Sequence, residues 1–233
     1  MLYQFFGSDP EFIVMKRSEL LRVLAERIVA VQRPHPTRVG IDGVDGVGKT
    51  TMADELAEVV RIHGRTVVRA SVDGFHNPRV VRYQRGRASA EGYFLDSFNY
   101  PELITALLSP LGPGGTRRHR RAIFNYRIDS PVDTPYETAP PDAILIFDGV
   151  FLLRPELIAY WDLSIFLDAP FEVTVARMAQ RDGSSSSEID APENRRYVEG
   201  QQLYLKKHDP RQSATIFINH EHLESPELVT RRP

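Results

Sequence analysis

The sequence predicts an α/β fold, a mostly parallel sheet covered by helices on both faces. Three observations predict it. Residues 38–51 run from a short apolar strand into the spacing G-x-x-x-x-G-K-[ST], and a helical pattern follows. Four of five apolar runs alternate with helical segments and show no in/out alternation, as strands buried on both faces do. Asp42, Asp73, Asp148 and Asp168 stand at or just past the ends of such runs. In open parallel sheets ligands lie beyond the carboxyl ends of the strands, so all four acids are expected at one ligand-facing edge.

In chain order, Ser18 reads as an N-cap for a helix whose stripe is Leu20, Leu21, Leu24, Ile28 and Val31. Pro34-His35-Pro36 ends it, and Arg38–Asp42 is the first central strand. The next helix places Met52, Leu56, Val59 and Val60 on one face and stops at Gly64. Thr66–Val72, Ala143–Phe147, Leu163–Leu167 and Ala214–Ile218 are the remaining strands. Tyr100–Leu108, Phe171–Gln180 and Arg195–Lys207 are helical, and Arg117–Ile128 is a hairpin or irregular strand. The polar stretch from Arg181 to Asn194 contains Ser184–Ser187 and reads as a mobile hinge. The expectation is a single domain over 1–233, with an N-terminal segment and helix at 1–37 and a lid at 181–195.

Composition narrows the chemistry. The chain has 233 residues, a net charge of −2 and no cysteine. Thiolate nucleophiles, thiolate zinc sites and disulfides are excluded, and nothing draws the whole chain to nucleic acid or anionic lipid. The apolar start, Met1 to Phe6, lacks a basic lead and is interrupted by Asp9 and Pro10, so it is not expected to be a signal peptide. No apolar stretch approaches the roughly 18 residues of a membrane span. The expectation is a cytoplasmic protein without a membrane or nucleic-acid partner, for which a homo-oligomer is compatible.

The Gly-rich loop carries the clearest chemistry. Gly43, Val44, Asp45, Gly46, Val47 and Gly48 form a curl whose amides point inward at phosphates. Lys49 places a point charge on the outer phosphates, and Thr50, followed by Thr51, can ligate Mg²⁺. Asp148 suits a second acid at the metal, or simply a strand-end turn with Gly149. Asp73, in Asp73-Gly74-Phe75-His76, can take a proton from a hydroxyl, sit in the metal's water shell, or cap the following turn. His76 and Arg127 are substrate candidates. Arg177 and Arg181, one turn apart before the Ser-rich segment, suit a lid that closes on phosphates, or charges that complement a helix end. Phe124, Tyr126, Phe94 and Phe98 can stack on a planar acceptor or fill the core. The run Arg117-Arg118-His119-Arg120-Arg121 reads as a solvated edge.

Together these pieces resemble the uridine kinase and phosphoribulokinase family of phosphate-loop (P-loop) kinases. The resemblance is carried by Gly43–Thr51, Val72–His76, Asp96–Asn99, Phe124–Asp129, Ile146–Phe151, Trp161–Asp168 and the Arg177–Asp182 helix end, spread over roughly residues 38–220. It implies a five-stranded parallel sheet with a lid, ATP with Mg²⁺ as donor, and the primary hydroxyl of a small molecule as acceptor. By the same resemblance Asp73 is the general base, Asp96 grips ribose hydroxyls, and the Arg177–Arg181 segment begins the lid's phosphate contacts. Two positions depart from the family's pattern. Asp148 stands where nucleoside kinases have Glu, which shortens its reach to a metal. Asp129 stands about where uridine kinases place a base-reading His. The family also includes kinases of pantothenate, nicotinamide riboside, ribulose phosphate and glycerate. The guanine-reading Asn-Lys-x-Asp element of GTPases and the Leu-Ser-Gly-Gly-Gln signature of transporter ATPases are both absent. That leaves a regulatory ATPase as a weaker alternative, alongside a nucleic-acid 5′-hydroxyl kinase that the net charge disfavours.

Overall fold

Strand β2 (Thr37–Gly43) is buried at all seven positions, so both of its faces need a cover of helices. In the computed structural model, which describes residues 11–183 and 186–230, it lies near the middle of a seven-stranded sheet. The other strands are β1 (Glu11–Val14), β3 (Val67–Ser71), β4 (Ile144–Asp148), β5 (Leu163–Asp168), β6 (Ile216–Asn219) and β7 (Glu227–Thr230). Their order is β1-β7-β6-β5-β2-β4-β3. Five strands, β6 through β3, are parallel, as expected. The sheet continues beyond them through β7 and β1, both antiparallel.

The parallel strands look uniformly apolar because alternate residues feed two separate cores. Ile144 and Ile146 join Val39, Ile41, Leu163 and Ile165 under helix α1 (Arg17–Ala30) and helix α2 (Lys49–Ile62). Leu145 and Phe147 face the other way, with Phe166 and Phe217, toward Phe75, Phe94, Phe98 and Phe151. Helix α3 (Ala90–Asp96) and helix α5 (Pro192–His208) pack against each other on that second side, and helix α4 (Phe171–Asp182) follows β5.

Several expectations are corrected. Ser18 is not an N-cap: α1 begins two residues earlier than that cap implies, at Arg17, with Lys16 as its uncapped boundary. Tyr100–Leu108 is helical as expected, as a short α-turn continued by a π-helical turn at Ile104–Leu108. Arg117–Ile128 is neither one hairpin nor one strand; it contributes to two small ribbons, 118–119 with 137–138 and 124–125 with 130–131. Within 181–195, α4 runs on to Asp182, Gly183 stops it in the left-handed region, and α5 begins at Pro192. Residues 184 and 185 of the expected hinge, and the apolar start at 1–10, lie outside the described residues. Among the described residues no helix is long and apolar enough to cross a membrane.

Gly40 marks a close approach of a side chain to β2. A Cβ there would lie 2.7 Å from Trp161 Cδ2. The indole is held by its Nε1–H bond to Leu152 O at 2.9 Å and by stacking on Phe147 at 5.5 Å. Gly40→Ala is therefore expected to destabilise the fold by about 1–3 kcal/mol through overpacking. Trp161 is the only tryptophan in the chain, so its fluorescence should shift along with the urea midpoint; an unchanged midpoint and spectrum would refute the contact.

Candidate active site

The loop between β2 and α2 is shaped by residues that tolerate little else. Gly46 has φ +78°, and a Cβ on it would run into Thr174 O and approach Met178 Cγ to 2.9 Å. Gly48, the N-cap of α2, has φ +99°. Both conformations are left-handed and suit glycine. The result is a turn closed by the Val47 amide on Val44 O at 3.3 Å, at the N-terminus of α2, where amides and helix dipole favour an anion. Lys49 is buried, and its Nζ donates to Val44 O at 2.8 Å and lies 4.0 Å from Asp45 Oδ1.

Two long-range contacts hold the loop's third residue. Tyr93 of α3 donates its hydroxyl to Asp45 Oδ2 at 2.6 Å, and Gln201 Oε1 of α5 accepts the Asp45 amide. These partners lie 48 and 156 residues away, so no local pattern announces them.

Because β4 runs beside β2, with Asp148 opposite Ile41, the end of β4 arrives next to the first turn of α2. There Thr50 Oγ1 donates to Asp148 Oδ2 at 2.6 Å. Asp148 Oδ1 lies 2.7 Å from the Arg69 guanidinium but is not aligned for a hydrogen bond. A hydroxyl, a carboxylate oxygen and an incompletely satisfied second oxygen form a donor set that fits Mg²⁺, which takes few protein ligands and keeps water or phosphate oxygens for the rest. Among the described residues no group of three His, Asp or Glu would hold a metal unaided. Thr51 is exposed in the same helical turn.

Asp73 sits in a short 3₁₀ turn, Val72–Phe75, at the end of β3. Its carboxyl is pushed up to about 6, first by desolvation and then by the neighbouring charges of Asp45 and Asp148, while Lys49 and Arg127 pull it down. Protein surrounds it, yet the side chain is still exposed on one side; that water damps the desolvation, and closure around a ligand would strengthen it. His76 Nδ1 meets Asp73 O at 3.0 Å, and its ring stacks on Tyr126 (centroids 4.7 Å) and against Phe98 (4.6 Å). Burial lowers His76 to about 4, so the ring is neutral near pH 7. Arg127 is exposed and lies over Tyr126 at 5.9 Å. Asp73, His76, Tyr126 and Arg127 are thus drawn into one neighbourhood.

Other candidates are placed differently. Asp42 does not face the ligand edge: it is fully buried, accepting from the Gly43 amide at 2.7 Å, the Leu153 amide at 3.1 Å and the Tyr204 hydroxyl. Asp168 is also buried and is gripped by Arg211 at 2.8 and 3.1 Å. Phe124 and Phe94 are core residues. Asp96 pairs with Arg85 at 2.9 Å, and Asp129 accepts from the Arg79 amide at 2.9 Å and from Arg82 at 3.1 Å. Arg177 donates to the carbonyls of His220 (3.2 Å) and Glu221 (2.6 Å), so a phosphate would have to draw its guanidinium from those bonds. Arg181 is exposed at the end of α4. The basic run at 117–121 is largely consumed locally: Arg117 bonds Ala139 O, Arg118 lies over Tyr136, Arg120 bonds Thr134 O, Val132 O and Asp133, and Arg121 pairs with Glu137.

A Gly-rich loop at a helix N-terminus, a Thr–Asp pair beside it and a carboxylate at the next strand end have the arrangement of a phosphate-loop nucleotide site. The chain belongs to the cytidylate kinase-like family, whose profile matches residues 38–222. It is 26% identical over 148 residues to a uridine kinase of Saccharomyces cerevisiae, covering 63% of this chain and 29% of that protein. It is 24% identical to a uridine kinase of Ligilactobacillus salivarius, covering 63% and 67%. A structure described as a possible uridine kinase from Bacillus stearothermophilus superposes with a TM-score of 0.68 at 21% identity, covering 86% and 97%. Phosphoribulokinase from Rhodobacter spheroides superposes with a TM-score of 0.59 at 16% identity, covering 87% and 81%. The fold is that of these P-loop kinases, and the relatives support a kinase of small metabolites.

Burial pushes Asp42 from an ordinary 3.8 up to about 6, and the Tyr204 hydroxyl is the strongest group opposing that rise. The folded state therefore holds this proton more tightly than the unfolded chain, and stability falls as pH rises between about 4 and 6. Tyr204→Phe should cost about 1.5–3 kcal/mol at pH 8, where it strips a donor from a buried carboxylate, and less at pH 5. Urea unfolding at the two pH values checks this; an equal loss at both would contradict the charged state of Asp42.

Proposed function

We propose that this chain transfers the γ-phosphate of ATP, with Mg²⁺, to the primary hydroxyl of a ribose-containing metabolite, uridine being the first acceptor to test. One observation carries the reading: the 2.6 Å contact of Thr50 with Asp148 beside the glycine loop, with Asp73 close enough to both Lys49 and Asp148 to feel their charges. Phosphoryl transfer needs such an ordering of cation, acid and base around one phosphorus.

Thr50 Oγ1 and Asp148 would hold Mg²⁺, which when bound neutralises charge on the β- and γ-phosphates. The loop amides and Lys49 cradle the same phosphates, so Lys49 exchanges Val44 O for a phosphate oxygen. Asp73 accepts the proton of the acceptor hydroxyl as that oxygen attacks the γ-phosphorus. The bond to the β–γ bridging oxygen breaks, and ADP leaves with the added charge beside Lys49. His76 and Tyr126 offer a stacked, neutral wall for the acceptor, and Arg127 a charge at its edge. Asp96 and Asp129 are proposed as acceptor ligands only by exchanging their present arginine partners. Arg177 and Arg181, with the 181–195 segment as a lid, would screen phosphate charge and exclude water. Cytoplasmic residence, where ATP is plentiful, is part of the same proposal.

A coupled ADP-release screen with nucleosides, pantothenate, nicotinamide riboside, glycerate and sugar phosphates, each with and without Mg²⁺, tests it. Release that depends on both Mg²⁺ and one acceptor is expected; ATP hydrolysis indifferent to every acceptor would instead indicate a regulatory ATPase. Asp73→Asn should keep ATP affinity and lose transfer by about 10²–10⁴. Because the base must be unprotonated, wild-type kcat/KM should fall about tenfold per pH unit below about 6. That acid limb should vanish in the variant's residual rate, and its persistence would assign it to another group.

A further inference from the structure

The back of the nucleotide loop is held by a residue that none of the chemistry above uses. His220 follows β6 and is fully buried. Its amide donates to Asp168 O at 2.7 Å, which fixes the backbone at the end of β5. One ring nitrogen, Nδ1, lies 2.6 Å from Val47 O in the loop; the other, Nε2, lies 3.1 Å from Arg17 Nη1. A guanidinium can only donate, so Nε2 accepts and the ring proton sits on Nδ1, donating to Val47 O. Arg17 is itself fixed by Glu55 of α2 at 2.7 Å. The ring also lies behind Gly48, where an added Cβ would come within 3.2 Å of His220 Cε1. Arg177 bonds the His220 carbonyl from the other side. Burial lowers His220 to about 4, which keeps Nε2 free of a second proton and able to accept from Arg17 near pH 7.

We propose that His220 is a positioning residue for phosphate binding: by donating to Val47 O it sets the peptide orientation on which the amide of Gly48 depends. A peptide group is planar, so fixing the Val47 carbonyl fixes the direction of the Gly48 N–H across the same bond. The inference rests on the reading that residues 43–51 bind nucleotide phosphates.

The test compares two polar replacements of similar bulk. Asn places its amide nitrogen near Nδ1 and keeps a donor for Val47 O; Gln reaches toward Nε2 and keeps a partner for Arg17. The readouts are ATP–Mg²⁺ binding by calorimetry, KM for ATP and KM for the acceptor. His220→Asn should bind ATP within about threefold of wild type. His220→Gln should bind it at least about tenfold more weakly, since misplacing a phosphate-binding group by about 1 Å is enough for such a loss. The acceptor's KM should change less than about twofold in both. Gln retained and Asn lost would show that His220 serves the Arg17 contact alone and would overturn the proposal, as would two variants that bind like wild type. If His220→Gln does not fold, Arg17→Met, which removes the Nε2 partner together with the Glu55 ion pair and the bond to Leu223 O, is read against Glu55→Gln, which weakens the ion pair alone: ATP binding within about threefold in both is expected, and a tenfold loss in Arg17→Met with Glu55→Gln unchanged would also overturn it. Wild-type protein that binds no ATP would fail the loop reading itself, and this proposal with it, whereas normal wild-type binding with insensitive variants fails this proposal alone.

Discussion

One hydroxyl against one carboxylate, Thr50 to Asp148, sets the terms for the rest of the molecule. The contact exists because β4 is the parallel neighbour of β2 and ends level with Ile41, while α2 starts immediately after the loop. Parallel pairing demands crossover connections, and crossovers demand helices on both faces. The two cores, the apolar strands on every side of β2 and the short loop all follow from bringing those two oxygens together at the sheet's carboxyl edge.

Four strand-end aspartates could look equivalent, but the structure divides them. Asp73 stands exposed beside the loop, whereas Asp148 is buried but meets Thr50 with one oxygen and leaves the other without a hydrogen bond. Asp42 is driven underneath, where the Tyr204 hydroxyl and two amides replace the water it lost. Asp168 is closed off by Arg211. A buried carboxylate already held by protein donors has little left for a ligand, whereas Asp73 has neighbours of both charge signs and an open side. The difference lies in who surrounds each acid and not in its place on a strand.

What could be read in advance follows the range of the interactions. The glycine loop and the central strands are local patterns, and the strand ends differ from the expected ones by a residue or two. The two outer strands on one side of the sheet, β1 at the edge and β7 inside it, escaped because four residues carry almost no periodicity, and β1 is exposed along its whole length. The Ser18 cap failed because serine also sits acceptably in a helix's first turn. In the site, Lys49, Thr50, Asp73 and Asp148 were legible from the loop motif and from strand-end position. Tyr93, Gln201 and His220 were not, since each acquires its meaning from a partner 48 to 173 residues away. The 117–121 run, read as a solvated edge, does keep Arg118 and Arg121 exposed, but it also fastens two small ribbons through Arg120 and Arg121.

The Lys49 ammonium, turned back on Val44 O at 2.8 Å, carries one more implication. On the proposed function an incoming phosphate would displace a carbonyl from that cation, and only the difference between an anionic and a neutral acceptor would be gained. The bond to the carbonyl is already charge-assisted by the ammonium, and a phosphate oxygen adds its own negative charge to the same donor, so the exchange would be favourable. On the proposed function such a grip is reversible: as the spent nucleotide departs, the Lys49 side chain has Val44 O to return to.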